Sequence, residues 1–211
     1  MISGRPLVVA VDGPAASGKG TVAKHLATAL ALPLLDTGLL YRAVGQTMAD
    51  WGADLDDPAQ AEEAARRFDI AWLNDPRLRS RQAGDLASRI ASHGGLRIAL
   101  RQFQKDFANQ AGGAILDGRD IGTVIAPNAQ VKLWIDAHVG IRANRRYREL
   151  LDRGERVSEA DILSDLVARD QRDAPNMIIA PDAVRIDTSA LGIEETVAAA
   201  LAAVHARVKT G

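Results

Sequence analysis

The sequence predicts an α/β fold in three layers, a central parallel sheet with helices on both faces, and two features carry that expectation. Short apolar runs recur at residues 7–11, 34–35, 114–116, 131–135 and 183–186, each followed by a loop and a helical pattern. Such alternation makes a parallel sheet covered by its crossover helices. The second feature is a glycine-rich turn, residues 13–20, between the first run and the first helical segment.

The first strand, Leu7-Val8-Val9-Ala10-Val11, ends at Asp12-Gly13-Pro14, and a helix is expected from about Gly18 to Ala31. Residues 41–110 and 138–173 carry helical patterns without strand signals and are expected to form lobes above the sheet. Asp56-Asp57-Pro58 and Asn74-Asp75-Pro76 mark turns in the first, and Asp173-Ala174-Pro175-Asn176 ends the second. The alanine-rich segment 193–209 reads as a closing helix packed on the sheet. The expectation is one domain over residues 1–211: a core of 5–40, 112–141 and 182–211, a lobe of about 41–111, and a further region of about 142–181.

Composition narrows the function classes. With 47% hydrophobic and 25% charged residues, the chain can bury a core and is not intrinsically disordered. A net charge of -1 gives no general field for nucleic acid or an anionic membrane, so neither is expected as a partner. The absence of cysteine removes disulfides, thiolate zinc sites, iron–sulfur clusters and a cysteine nucleophile. Met1-Ile2-Ser3-Gly4-Arg5-Pro6 has no basic n-region and apolar run, and no apolar stretch approaches the 18 or so residues that span a bilayer, so a cytoplasmic protein is expected. A monomer is expected as well, although no residue pattern reports oligomeric state. Of 26 basic residues, 21 are arginine, whose planar fork grips phosphate at two points, although a GC-rich genome also favours arginine.

Gly13-Pro14-Ala15-Ala16-Ser17-Gly18-Lys19-Gly20-Thr21 has the spacing G-x-x-x-x-G-K directly after a strand and at a helix start. There, successive backbone N–H groups and the positive end of the helix dipole converge on phosphate oxygens, and Lys19 reaches the β- and γ-phosphates. Gly20 stands where serine or threonine normally follows the lysine, which leaves Thr21 as the candidate magnesium ligand. Gly18-Lys19-Gly20-Thr21-Val22-Ala23 also matches G-x-G-x-x-A, with Asp36 near the place of a ribose-binding acid. A dinucleotide fold, however, needs neither the four loop residues between Gly13 and Gly18 nor the lysine.

A hydrolytic motor would place an Asp-Glu pair at a strand end. Here Leu116-Asp117 is followed by Gly118-Arg119-Asp120, without that glutamate. Asp117 can hold a magnesium hydration shell, and Arg119 marks a nearby anion, an acceptor or a charged transition state. Arg142, Arg145 and Arg146 are spaced for one helix face, Arg153 lies nearly on it, and Arg169 and Arg172 follow on a later helix. Either this is a solvated basic face, or the helices form a mobile lid that neutralises the γ-phosphoryl group in transit. A phosphate acceptor is already anionic and needs no strong base. His25, His93, His138 and His205, without metal-ligand spacing, are read as structural.

The blocks Asp12-Gly13-Pro14, Gly18-Lys19-Gly20-Thr21, Leu35-Asp36-Thr37-Gly38, Tyr41-Arg42, Asp117-Gly118-Arg119-Asp120-Ile121-Gly122-Thr123-Val124, Arg169-Asp170-Gln171-Arg172-Asp173 and Ile186-Asp187-Thr188-Ser189 occur in that order. With them the chain resembles the bacterial cytidylate kinases, nucleoside-monophosphate kinases of the P-loop class, over nearly its whole length. The resemblance implies transfer of the γ-phosphoryl group of ATP to CMP or dCMP, with magnesium, for which Thr21 and Asp117 are the candidate ligands, directly or through water. The 41–111 segment becomes a monophosphate-binding lobe and 142–181 a short lid.

It also implies roles residue by residue. Thr37, Arg97 and Asp120 match contacts to the cytosine ring, Thr37 keeping the hydroxyl of the more usual serine. Ser88 and Asp173 match residues near the ribose hydroxyls, with Arg169 close by. Tyr41, Arg42 and Arg119 belong with the acceptor, its phosphate near the two arginines, and Lys19, Asp117, Arg119, Arg146 and Arg169 form the catalytic set. A carboxylate such as Asp120 accepts from the exocyclic amine of cytosine and repels the carbonyl of uracil. Two departures stand out: residues 68–87 are too few for the family's small β-sheet insertion, and Ala174-Pro175-Asn176-Met177-Ile178 lacks its further arginine. A related P-loop kinase with another acceptor, or a nucleotide-binding switch without catalysis, are the competing readings.

Overall fold

The computed structural model describes residues 6–209; residues 1–5, on which the absence of a leader and the start of the core were read, and residues 210–211 lie outside the described residues. In chain order, β1 (Val8–Asp12) leads to α1 (Lys19–Leu30), β2 (Leu34–Asp36), α2 (Thr37–Asp50) and α3 (Pro58–Arg66). Two 3-10 turns, Ile70–Asn74 and Pro76–Arg79, precede α4 (Arg81–Ile90) and α5 (Gly94–Ala108). β3 (Ala114–Gly118) runs into a π-helical turn, Ile121–Ile125, before β4 (Val131–Asp136). Then come α6 (Val139–Asp152), α7 (Glu159–Asp173), β5 (Val184–Asp187) and α8 (Ile193–Lys209).

All five expected strands form, in the order β2-β3-β1-β4-β5. The pairings of β1 with β3, β1 with β4, and β4 with β5 are parallel, with Asp12 opposite both Gly118 and Trp134. Every residue of β3 is buried. Because successive strand residues point to opposite faces, both faces of the sheet are covered there. The edge strands β2 and β5 are the shortest, with 3 and 4 residues.

The described chain gathers into two compact units, one running to Leu35 and resuming at Ala108, the other spanning Asp36–Phe107. The first is built on the sheet. Val9, Val11, Ile115, Leu133 and Ile135 form one core with Val22 and Leu26 of α1 and Ala200 and Val204 of α8, so the closing helix does pack on the sheet. Ala143 and Leu150 of α6 and Ile162 and Leu166 of α7 make a smaller core with Ala15.

The second unit is helical. α2 begins at Thr37, four residues before the expected start of the lobe at about 41, with Gly38 inside its first turn. Its Gly45 lets α4 approach so closely that a Cβ there would lie 3.0 Å from the Leu86 Cβ. Asp57 caps α3 by accepting from the Ala59 and Gln60 amides, and Pro58 occupies the first turn, where its missing N–H costs nothing. No strand forms in residues 68–87; the two 3-10 turns and the start of α4 fill that passage. Phe68 meets Trp72 and Phe103 edge to face, and Trp72 meets Trp51 in the same way. Arg77 binds Asp50 and Asp75, holding both carboxyls below their usual range.

At the end of β1 the backbone leaves no room for a side chain. A Cβ on Gly13 would fall 2.0 Å from the Ile135 carbonyl oxygen. Gly13→Ala is therefore expected to lower stability by about 3 kcal/mol or more in urea unfolding, as overpacking against unyielding backbone does.

Candidate active site

The turn between β1 and α1 is held in an uncommon backbone conformation. Ala16, with φ of 60°, and Gly18, with φ of 90°, are both left-handed. An alanine is rarely found there, and such strain persists where the surrounding structure imposes it. Arg142 donates to the Ala15 carbonyl at 3.0 Å and the Thr188 hydroxyl to the Ser17 carbonyl at 3.1 Å, so two loop carbonyls are already bound. α1 begins at Lys19 with no side-chain cap and no acid in its first turn. No acidic side chain in that turn offsets the positive end of the helix dipole, the property that makes this loop type a phosphate cradle.

Lys19 reaches Asp117 at the end of β3, its Nζ 3.2 Å from Oδ1. A Cβ on Gly20 would stand 3.1 Å from the other oxygen of Asp117. A side chain at this position would press on the carboxylate that Lys19 binds. Thr21 is exposed on α1, and its carbonyl meets Nδ1 of His25 at 2.9 Å. Among the described residues no three histidine, cysteine or acidic side chains gather as a metal site. One carboxylate and one hydroxyl nevertheless suit magnesium, a hard ion that keeps several waters and takes its other oxygens from phosphate.

Just past β3, Arg119 donates through Nε to Asp173 at 3.0 Å and through Nη1 to the Gly118 carbonyl at 3.1 Å. Arg169 lies one turn before Asp173, with Nε 3.7 Å from the same carboxylate oxygen. Three residues assigned to acceptor and catalysis from the resemblance thus converge on one point. Asp120 follows, and its carbonyl accepts from the Val124 amide at 2.8 Å to open the π-helical turn.

Asp12 was quoted in the sequence only as part of a block, yet its buried carboxylate grips this segment. Oδ1 accepts from the Ile121 amide at 2.9 Å and Oδ2 from the Gly122 amide at 2.8 Å. Burial pushes its pKa up to about 6, the two amides pull it down, and Asp120 and Asp117 add repulsion. A polar residue ending an apolar strand and opening the loop was the available signal. Thr188, buried between Arg145 and the Ser17 carbonyl, was likewise visible only within its block.

The reading of one basic face on α6 is corrected. Arg142 is only 4% exposed and is committed to the Asp170 carboxylate and to the carbonyls of Ala15 and Ala137. Arg145 binds the Thr188 hydroxyl and carbonyl. Arg146 pairs with Glu149 at 2.7 Å, and Arg153, the C-cap of α6, pairs with the same carboxylate. Two of these guanidiniums fasten α6 to the core rather than facing solvent.

In the helical unit, Thr37 opens α2 and Ser88 lies on α4, and both are buried. Tyr41 and Arg97 meet, the guanidinium 5.7 Å from the ring centroid. Arg42 donates to the Leu78 carbonyl at 2.8 Å, which ties α2 to the second 3-10 turn. Tyr41 and Arg42 thus have defined partners within their own unit.

A family model described as cytidylate kinase matches residues 9–206. The cytidylate kinase of Xanthobacter autotrophicus is 53% identical over 205 residues, covering 95% of this chain and 98% of that one. That of Rhodopseudomonas palustris is 51% identical, covering 95% and 96%. Among solved structures, a shikimate kinase from Bacteroides thetaiotaomicron shares the fold with a TM-score of 0.53 at 12% identity, over 94% of this chain and 98% of that one. The chain belongs to the cytidylate kinase family.

Because burial raises the Asp12 pKa from 3.8 to about 6, the folded state holds this proton more tightly than the unfolded state. The resulting stability is fully present below pH 3.8 and is lost as pH rises through about 6. The stability difference between wild type and Asp12→Asn should therefore shift in favour of wild type as pH falls from 6 to 4, as measured by urea unfolding at each pH.

Proposed function

We propose that this chain transfers the γ-phosphoryl group of ATP to CMP or dCMP, giving ADP and CDP or dCDP. The observation that carries the proposal is the convergence of Arg119 and Arg169 on Asp173 in the same unit as the Lys19 phosphate loop. Cations at these places suit a reaction in which negative charge must be gathered and held. An oxygen of the acceptor phosphate attacks the γ-phosphorus, and its new P–O bond forms as the bond to the β–γ bridging oxygen breaks and ADP departs. The attacking oxygen is already anionic at neutral pH, so no general base is required, and the protein acts by positioning and charge neutralisation.

Residues 13–21 cradle the ATP phosphates, with Lys19 on the β- and γ-phosphates. Magnesium, held by Asp117 with Thr21, would supply further neutralisation of phosphate charge. Arg146 and Arg169 serve the transferred group from the α6–α7 region, the proposed lid. On the acceptor side, Thr37, Arg97 and Asp120 read the cytosine edge, Ser88 and Asp173 the sugar, and Tyr41, Arg42 and Arg119 the phosphate end. The protein works in the cytoplasm on small molecules.

A coupled assay with CMP, dCMP, UMP and AMP tests the proposal. The cytosine nucleotides should give the highest kcat/KM; a preference for any other acceptor assigns the chain to another P-loop phosphotransfer. Arg119→Ala should lose on the order of 100-fold to 1,000-fold in kcat while ATP binding persists, the loss expected of one transition-state donor. Lys19→Met should weaken ATP binding itself, measured by calorimetric titration.

A further inference from the structure

We infer that Asp12 is a positioning residue for acceptor recognition, its carboxylate fixing the segment that presents Arg119 and Asp120. The inference rests on the assignment of those two residues to the acceptor. Both oxygens of Asp12 accept from consecutive amides, Ile121 at 2.9 Å and Gly122 at 2.8 Å, and the side chain is buried. These amides follow Asp120 directly and belong to the π-helical turn, so gripping them sets the direction in which the backbone leaves Arg119 and Asp120.

A merely structural acid is a poor account of this place. The carboxylate is desolvated and stands near two like charges, Asp117 and Asp120. An isolated buried charge is costly, and its neutral isostere is usually tolerated where only packing matters. Asparagine, however, offers one acceptor oxygen, and its NH2 would face a second N–H donor. The carboxyl group of Asp12, with an acceptor oxygen for each, satisfies both amides. Asp12 also immediately precedes Gly13, so the residue that starts the donor loop orients the acceptor segment 109 positions later.

Kinetics on Asp12→Asn and on Gly122→Pro test the role, the second variant removing one donor while leaving Asp12 in place. The expected result is a rise of about 10-fold or more in KM for CMP and a narrowed ratio of CMP to UMP in kcat/KM, with KM for ATP changed by less than about 2-fold, since small misplacements of a positioning group are felt chiefly at the group it holds. Hydrogen–deuterium exchange should quicken in residues 119–125 and stay unchanged in α1. If both variants keep the wild-type KM for CMP and the wild-type exchange, or if ATP and CMP parameters fall together, the role is overturned. A wild-type enzyme that prefers a non-cytosine acceptor would overturn the proposed function instead, and the exchange measurement would still decide whether Asp12 orders the segment.

Discussion

The parallel register of β1 against β3, with Asp12 opposite Gly118, is the constraint on which the remaining chemistry depends. It brings two chain exits side by side at one end of the sheet: the phosphate loop leaves β1 there, and Arg119-Asp120 leave β3. β4 ends beside them, its Ile135 carbonyl so close to Gly13 that only hydrogen fits. A one-residue slip would send each side chain of the slipped strand to the opposite face, where it would meet a core packed for its neighbour, and would separate Asp12 from the amides it holds. Burial of Val9, Val11 and Ile115 fixes the register, and the register places the charges.

Those charges come in matched sets. Lys19 with Asp117, Arg119 with Asp173, and Arg142 with Asp170 are each at least partly buried. Ion pairs of this kind contribute little net stability, because desolvation offsets their attraction. Their value here lies elsewhere: each side chain is held at a defined point before any substrate arrives. The pairs of Arg66 with Glu62 and Arg67 with Glu63 on α3 are far more exposed, and solvent screening leaves them little worth.

The strands were legible because buried parallel strands are written as nearly continuous apolar runs, and the loop because its glycines and lysine are fixed in spacing. Local capping was legible too, as at Asp57-Pro58. The fate of Arg142 was not. Spacing of i, i+3 and i+4 identifies a shared helix face but not what that face meets, and here it meets Ala15 and Asp170. Asp12 was hidden for a similar reason, since its partners lie more than a hundred residues away. The start of α2 at Thr37 rather than at about 41 shows how weakly an apolar pattern marks a helix boundary.

The sheet is longest in its middle and tapers to three residues at β2 and four at β5. Unpaired backbone along an outer strand is a template onto which another chain can add, the first step toward ordered aggregates. With so few outward-facing donors and acceptors along strands this short, the described sheet offers other chains little to extend.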